Sequence, residues 1–196
     1  MSVFRLGLTG SIGMGKSTTA AMFAAEGIPV WDADLVVHRL YAQGGKAVGP
    51  VSELCPAALR DNEIDRTMLR GWVSSDAGNL ARLEAVVHPL VSADRDAFAA
   101  QFDQDIVVFD IPLLFEKGTE TEMNATLLVT APIALQRQRV LSRSGMTEEQ
   151  FVLILSRQMP DAEKRARATH IVEALSIHQT HAYVTALIAY LRSDYA

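Results

Sequence analysis

One short stretch near the start of the chain fits the pattern G-x-x-x-x-G-K-[ST] at every fixed position; it reads Gly10-Ser11-Ile12-Gly13-Met14-Gly15-Lys16-Ser17. The apolar run of residues 3–9 precedes it, and residues 18–25, which have helical composition, follow it and end at Gly27. A strand, a glycine-rich turn and a helix in this order are the context in which the pattern forms a phosphate-binding loop. The alternative, a chance match, is disfavoured by those flanks.

The predicted loop binds phosphate through its backbone. Glycines let several N–H groups converge on one anion, and the helix start adds unpaired donors and the positive end of its dipole. Lys16 is predicted to reach the β- and γ-phosphates of a nucleotide as a catalytic residue, and the Ser17 hydroxyl to ligate Mg²⁺. The predicted nucleotide contacts are Gly10, Ser11, Ile12, Gly13, Met14, Gly15, Lys16, Ser17 and Thr18.

Two aspartates, Asp32 and Asp34, follow the next apolar run, residues 28–31. If residues 30–34 are extended, these side chains project to the same side, and helical periodicity starts at Leu35. The carboxyl end of a parallel strand is the ligand side of an open sheet. One carboxylate is then available to order Mg²⁺ or its waters, and the other to accept a proton from an acceptor hydroxyl. The alternative is that one of them caps the helix; capping and ligation can coexist at one residue.

Residues 46–102 show a mostly helical pattern, with predicted breaks at Pro56, at residues 74–78 and at His88-Pro89. This interval is longer than a crossover between two strands requires. We therefore expect a helical insertion over the active site. Taken alone, His88 is more typical of an ordinary histidine at a helix end than of a ligand.

A buried central strand is predicted at residues 106–110, where four apolar residues are closed by Asp110. Asp110 is a candidate partner for a metal ion or for its waters. The alternative is a solvated carboxylate at a strand end. Further strands are predicted at residues 125–130 and 169–172, and a closing amphipathic helix at residues 177–192.

The segment of residues 136–167 concentrates positive charge, since it carries a net +3 in a chain whose net charge is −5. Arg139 and Arg143 are four residues apart and are expected to share a helix face, and a capping-box pattern starts a second helix at Thr147. Short arginine-bearing helices are typical of the mobile lid of a small phosphotransferase, in which guanidinium groups stabilise phosphoryl charge. The alternative is a solvated charged face.

Length and composition support one soluble domain, or one domain with a small insertion. The chain has 196 residues, of which 49% are hydrophobic and 21% charged. A net charge of −5 argues against a general nucleic-acid or membrane-surface binder. A single cysteine, Cys55, excludes an intrachain disulfide. With no leader-like pattern and no apolar stretch long enough to span a bilayer, a cytoplasmic location is expected.

In sum these residues resemble the dephospho-CoA kinase family, and the likeness covers nearly the whole chain. The matching stretches are residues 7–17; residues 27–30 with Asp32-Ala33-Asp34; Asp65-Arg66 with Leu69; His88-Pro89-Leu90; residues 110–114 with Glu116; and Gln136, Arg139, Arg143 and Gln158. The phosphate loop is shared by many families, but the other motifs in this order are specific. One departure is at the lid end, where the family commonly has Asp and Asn near the adenine and this chain reads Ala168-Thr169 through Ala174.

The resemblance implies an α/β fold of the P-loop NTPase type: a three-layer parallel sheet flanked by helices, with a helical substrate-binding insertion and a helical lid. The implied parts are a core of residues 1–45, 103–135 and 168–196, an insertion of about 46–102 and a lid of about 136–167. The implied reaction transfers the γ-phosphate of ATP, with Mg²⁺, to the ribose 3′-hydroxyl of dephospho-CoA.

The residue roles that we expect combine spacing with this resemblance. The expected catalytic residues are Lys16, Asp34, Asp32, Arg139 and Arg143, with Asp34 favoured over Asp32 as the base. The expected acceptor contacts are His88, Pro89, Leu113, Leu114 and Glu116, and the expected metal ligands are Ser17 and Asp110. The partners are expected to be ATP and dephospho-CoA, with the protein a monomer or weak homo-oligomer.

Three rival functions stay open at this point. Another small-molecule or nucleotide kinase would share the loop and the lid. A nucleotide-driven switch protein would be expected to recognise guanine through an Asn-Lys-x-Asp string, which does not occur here. A non-catalytic relative would bind nucleotide without turnover.

Overall fold

The computed structural model describes residues 3–103 and 105–195; nothing is said of the side chain of Tyr195. Met1, Ser2, Gln104 and Ala196, which the predicted core ranges include, lie outside the described residues. The chain divides into two compact units. The first comprises Met1–Trp31 and Phe102–Ala196, and the second comprises Asp32–Gln101.

Strands and helices are interspersed along the chain, as in an α/β fold. The strands are β1 (Phe4–Thr9), β2 (Val30–Asp32), β3 (Leu59–Arg60), β4 (Glu63–Ile64), β5 (Ile106–Asp110), β6 (Ala125–Thr130) and β7 (His170–Glu173). The helices are α1 (Lys16–Ala25), α2 (Ala33–Tyr41), α3 (Val48–Leu54), α4 (Arg66–Ser75), α5 (Asn79–Ala99), α6 (Ile133–Leu141), α7 (Glu148–Leu155), α8 (Asp161–Arg167) and α9 (Ile177–Tyr195).

The first unit is built on a mostly parallel sheet with the strand order β2-β5-β1-β6-β7. β1 pairs in parallel with both β5 and β6, and β6 pairs in parallel with β7. The register sets Leu8 opposite both Asp110 and Leu127. β5 and β6 are buried along their whole length, as the apolar run of residues 106–110 predicts for β5. The predicted fold class is confirmed.

The main core lies between one face of this sheet and the helices α1 and α9. Alternate strand residues such as Leu6, Val108 and Leu127 pack there with Phe23 of α1 and Leu191 of α9. Each is almost completely shielded from solvent. β1 ends at Thr9 and β5 ends at Asp110, so the loops that follow these two neighbouring parallel strands begin at the same edge of the sheet.

The second unit contains α2 to α5 and a short hairpin of β3 and β4. The hairpin turns through Asp61 and Asn62, which both have positive φ, and the mostly helical pattern predicted for residues 46–102 did not include it. The break predicted at His88-Pro89 is wrong, since α5 runs unbroken from Asn79 to Ala99 through Pro89. A proline inside a helix removes one backbone hydrogen bond, here to Ala85, and a helix of 21 residues packed along its length absorbs that loss.

Within residues 3–103 and 105–195, none of the helices is both long enough and apolar enough to cross a lipid bilayer. Cys55 is a buried free thiol.

Candidate functional site

The predicted phosphate loop joins β1 to α1, and it bends where glycine is needed. Gly13 has φ 77° and Gly15, the N-cap of α1, has φ 103°, both in the left-handed region that favours glycine. Gly10 is required for another reason, because a side chain there would meet the Val129 carbonyl oxygen at 2.6 Å. The helix begins at Lys16, so its first backbone N–H groups face the loop.

Gly13→Ala is expected to unfold or distort the loop. An added Cβ would lie 2.5 Å from Val140 Cγ2 and 3.0 Å from the Gln136 carbonyl oxygen, in addition to the strain of its positive φ. We expect a loss of about 3 kcal/mol in the free energy of unfolding, with loss of ATP binding.

Gly145→Ala is the matched control for this prediction. Gly145 has the same φ of 77°, but nothing lies within 4 Å of its added Cβ, so only the backbone strain of about 1 kcal/mol is expected. Urea unfolding of both variants measures the difference. Equal losses would show that the packing of Gly13 against α6 is unimportant.

Lys16 and Asp110 form an ion pair beside this loop. Asp110 ends β5 and is 3% exposed at its side chain, and Lys16 is 15% exposed. The register sets Asp110 opposite Leu8, two residues before Gly10. The carboxylate therefore lies at the carboxyl end of the sheet, as predicted, and holds the lysine ammonium close to the loop.

A cavity of about 370 Å³ adjoins the loop. It is lined by the loop, by α1, by the lid segment and by the start of α9: Gly13, Gly15, Thr18, Thr19, Met22, Arg139, Arg143, Ala174, Ser176, Ile177 and Thr180. Two arginines and the backbone of the loop thus face one space, which suits a polyanion attached to an apolar ring.

Both predicted lid arginines line this cavity, but not from one helix. The shared helix face predicted for Arg139 and Arg143 is wrong, because α6 ends at Leu141 and Arg143 lies in the turn that follows. Arg139 donates from Nη2 to the Ala174 carbonyl oxygen at 2.6 Å, and its Nη1 is buried without a hydrogen-bond partner in the described part of the chain. A buried guanidinium N–H with no acceptor is a ready donor to an anion.

The lid-end departure noted in the sequence has a structural consequence. Thr169 and Thr126 exchange hydrogen bonds between side chain and backbone, at 2.9 and 3.2 Å. The backbone of Ala174 connects β6 and α6. Its N–H donates to the carbonyl oxygen of Thr130 in β6 at 2.8 Å, and its C=O accepts from Arg139 of α6. At the cavity wall this chain therefore presents the backbone and the methyl group of Ala174.

A family model for dephospho-CoA kinase matches residues 4–179. The chain belongs to the dephospho-CoA kinase family. A protein of Cereibacter sphaeroides with that name is 66% identical over 192 residues, which is 98% of each chain. A crystal structure of TT1252 from Thermus thermophilus is similar with a TM-score of 0.88 and 36% identity, over 97% of this chain and 99% of that one. The structure of a dephospho-CoA kinase from Campylobacter jejuni shares the fold, with a TM-score of 0.66 and 19% identity over 95% and 96% of the two chains.

Two aspartates that the family resemblance marks, Asp32 and Asp34, belong to the second unit. The extended stretch considered for residues 30–34 is wrong, because β2 ends at Asp32 and α2 begins at Ala33, two residues before the predicted start. Asp32 is the N-cap and accepts from the Leu35 N–H at 3.0 Å. Asp34 lies exposed in the first helical turn. The capping alternative is therefore confirmed for Asp32, whereas the Asp34 carboxylate does not cap α2.

The remaining candidates for the acceptor in this family differ in accessibility. His88 and Pro89 are exposed within α5. Leu113 is 37% exposed, but Leu114 is completely buried, so its side chain offers no surface to a ligand. Glu116 contacts the protein itself, because it accepts from the Met159 N–H at 2.9 Å and pairs with Lys164 Nζ at 2.8 Å. We leave Leu114 and Glu116 out of the proposed acceptor contacts.

The Glu116–Lys164 pair joins the segment after β5 to α8. Lys164 is completely buried and Glu116 is 14% exposed. Burial raises the pKa of Glu116, but the ion pair with Lys164 and the hydrogen bond from the Met159 N–H outweigh it, so the pKa lies below its usual value of 4.5. A carboxylate with a lowered pKa stabilises the fold above the unfolded-state pKa, and this contribution is lost as the pH falls through the folded-state pKa.

Glu116→Gln is expected to lower the free energy of unfolding at pH 7 by about 3 kcal/mol, because the buried Lys164 loses its counter-charge. The difference from the wild type should shrink as the pH falls below 4.5. Urea titrations at a series of pH values measure it, with Glu53→Gln at an exposed site of α3 as the control. A difference that stays constant with pH would contradict the assignment.

Proposed function

We infer that this chain catalyses the ATP-dependent phosphorylation of the ribose 3′-hydroxyl of dephospho-CoA, which gives coenzyme A and ADP. The observation that carries the inference is an intact phosphate loop, with its lysine paired to the aspartate that ends β5, in a chain that belongs to this family. A phosphate loop alone would support only nucleotide binding.

On the donor side, the β- and γ-phosphates of ATP bind to the backbone N–H groups of residues 13–17, and the nucleoside enters the adjoining cavity. Lys16 neutralises charge shared between the two phosphates as the γ-group departs. Support comes from the positive φ of Gly13 and Gly15, which bends the loop, and from the arginine-lined space of about 370 Å³ beside it.

Magnesium belongs to this proposal, with the exposed Ser17 hydroxyl as a ligand and Asp110 as the partner of its waters. Among the described residues no three His, Cys, Asp or Glu side chains are grouped as a metal cage. This donor set still fits the ion, because Mg²⁺ keeps several waters and is usually held by one or two protein groups together with substrate phosphates. When bound, the ion supplies charge neutralisation on the phosphates.

On the acceptor side, Asp34 orients the 3′-hydroxyl and accepts its proton, with Asp32 as the less favoured base. The hydroxyl oxygen forms a bond to the γ-phosphorus, the bond from that phosphorus to the β,γ-bridging oxygen breaks, and ADP leaves. A carboxylate is a weak base for a sugar alcohol, so the proton moves late and orientation supplies most of the effect. The exposed His88 and Pro89 contribute to acceptor binding.

The lid arginines act on the transferred group. Arg139 offers its buried Nη1, and Arg143 adds a second guanidinium at the same cavity. Closure of a lid of about 136–167 over the core expels water and strengthens these charges. We also propose that the helical insertion of about 46–102 binds the acceptor. The protein is further proposed to be cytoplasmic and to be a monomer or a weak homo-oligomer.

The test is incubation of the purified chain with ATP, Mg²⁺ and dephospho-CoA, followed by mass spectrometry. We expect ADP and coenzyme A to appear in equal amounts. A panel of nucleosides and small alcohols replaces dephospho-CoA in parallel reactions. Turnover of a panel member in preference to dephospho-CoA would indicate another kinase, and ATP binding without any product would indicate a non-catalytic relative.

A further inference from the structure

Both backbone groups of Ile12, in the middle of the phosphate loop, are held by glutamine side chains from the lid segment. Gln136 of α6 donates from Nε2 to the Ile12 carbonyl oxygen at 2.8 Å. The Ile12 N–H donates to Oε1 of Gln158, which follows α7, at 3.1 Å. Gln136 is only 1% exposed. One residue of the loop is thus bound from two sides by groups far away in the sequence.

These two hydrogen bonds set the planes of two successive peptides. In a trans peptide the C=O and the N–H point in opposite directions. Because Gln136 holds the Ile12 carbonyl, the N–H of the same peptide, which belongs to Gly13, is directed to the opposite side. Because Gln158 holds the Ile12 N–H, the Ser11 carbonyl is directed away from Gln158, and it accepts from the Met14 N–H at 3.1 Å.

We propose that Gln136 and Gln158 are positioning residues, whose amides set the direction of the phosphate-loop peptides and so the ATP affinity of this kinase. The proposal rests on the proposed function, and it adds residues that contact the loop from outside it. They act through the loop backbone on the phosphates.

The two amides have opposite roles. Gln136 must present its NH₂ group to a carbonyl, whereas Gln158 must present its oxygen to an N–H. Gln158 is itself held in place through its neighbour, since the Met159 N–H donates to Glu116, which pairs with Lys164. The lid segment therefore contacts the loop at both the C=O and the N–H of Ile12.

Isosteric glutamate variants separate the two roles. Gln136→Glu replaces a donor with a carboxylate that faces a carbonyl oxygen, and we expect the Kd for ATP to rise about tenfold or more at pH 8. Gln158→Glu keeps an acceptor for the Ile12 N–H, so its loss should be clearly smaller than that of Gln158→Met. Gln138→Glu, at an exposed position of α6, is the control and is expected to bind ATP as the wild type does.

The pH profile distinguishes positioning from a general loss of packing. A protonated glutamate can donate, so the Gln136→Glu variant should regain ATP affinity as the pH falls from 8 to 6, whereas Gln136→Met should show a loss that does not depend on pH. Melting temperatures identify variants that fail to fold. If Gln136→Glu fails to fold, Gln158→Met and Gln158→Glu still test the proposal.

Calorimetric titration with ATP needs no acceptor, so this experiment is independent of whether dephospho-CoA is turned over. Folded variants of Gln136 and Gln158 that bind ATP as the wild type does, at every pH, would overturn the positioning role. Wild-type protein that binds ATP but makes no coenzyme A would instead overturn the proposed function.

Discussion

Replacing Asp34 with asparagine is expected to lower kcat by about two orders of magnitude or more while the Kd for ATP stays nearly unchanged. The amide keeps the size of the side chain and its exposed position in the first turn of α2, but it cannot accept the hydroxyl proton. The loss should appear in turnover because Asp34 acts on the acceptor and not on the nucleotide. Steady-state kinetics together with titration of ATP measure both quantities.

Asp32→Asn is the matched comparison for this prediction. Asn is as good an N-cap as Asp, so the hydrogen bond to the Leu35 N–H and the start of α2 should survive. We expect a clearly smaller loss of kcat than for Asp34→Asn. If the order of the two losses were reversed, Asp32 would be the base. An active Asp34→Asn enzyme would remove Asp34 from the mechanism.

Lys16→Ala is expected to lower kcat/KM for ATP by about three orders of magnitude, because no other lysine or arginine lies within the loop motif, residues 10–17. The same change takes the ammonium away from Asp110, whose side chain is 3% exposed, so the melting temperature should also fall.

The double variant Lys16→Ala with Asp110→Asn separates these two effects. Removing the buried charge should restore much of the stability without restoring turnover. Lys46→Ala, at an exposed position outside the loop, serves as the control and is expected to be fully active. If Lys16→Ala retained normal kcat/KM, the assignment of the phosphate loop would be wrong.

The parts of this fold that could be predicted are those specified by neighbouring residues. The glycine pattern predicts a loop and a helix after it, which begins at Lys16, two residues before the predicted run of residues 18–25. The apolar run that ends in Asp110 predicts a buried central strand, and the run that ends in Thr130 predicts a further strand. Each of these signals is contained within about eight residues. The same holds for the capping box at Thr147, which the structure confirms.

Local patterns gave wrong element boundaries where one residue type is compatible with two kinds of local structure. An aspartate after an apolar run is equally typical of a strand end and of a helix N-cap, and at Asp32 it is both, so α2 begins two residues earlier than predicted. Pro89 normally disfavours helix by about 3 kcal/mol, but tertiary packing of α5 outweighs that preference.

Local sequence patterns could not predict the side-chain contacts that hold the phosphate loop. Gln136 and Ile12 are 124 residues apart, and nothing in the residues around either one indicates the contact. The sequence resemblance marked Gln136 and Gln158 as lid residues without a role. The resemblance predicts that Glu116 binds the acceptor. In the structure Glu116 instead accepts a hydrogen bond from the Met159 N–H and pairs with the buried Lys164, and only the tertiary structure brings these groups together.

The most direct measurement is a phosphorus–proton correlation spectrum of the product that forms from ATP and dephospho-CoA. We expect a new phosphomonoester signal that correlates with the ribose H3′ proton and grows as ADP accumulates. A correlation with H2′, or ATP consumption without a new phosphomonoester, would contradict the assigned reaction.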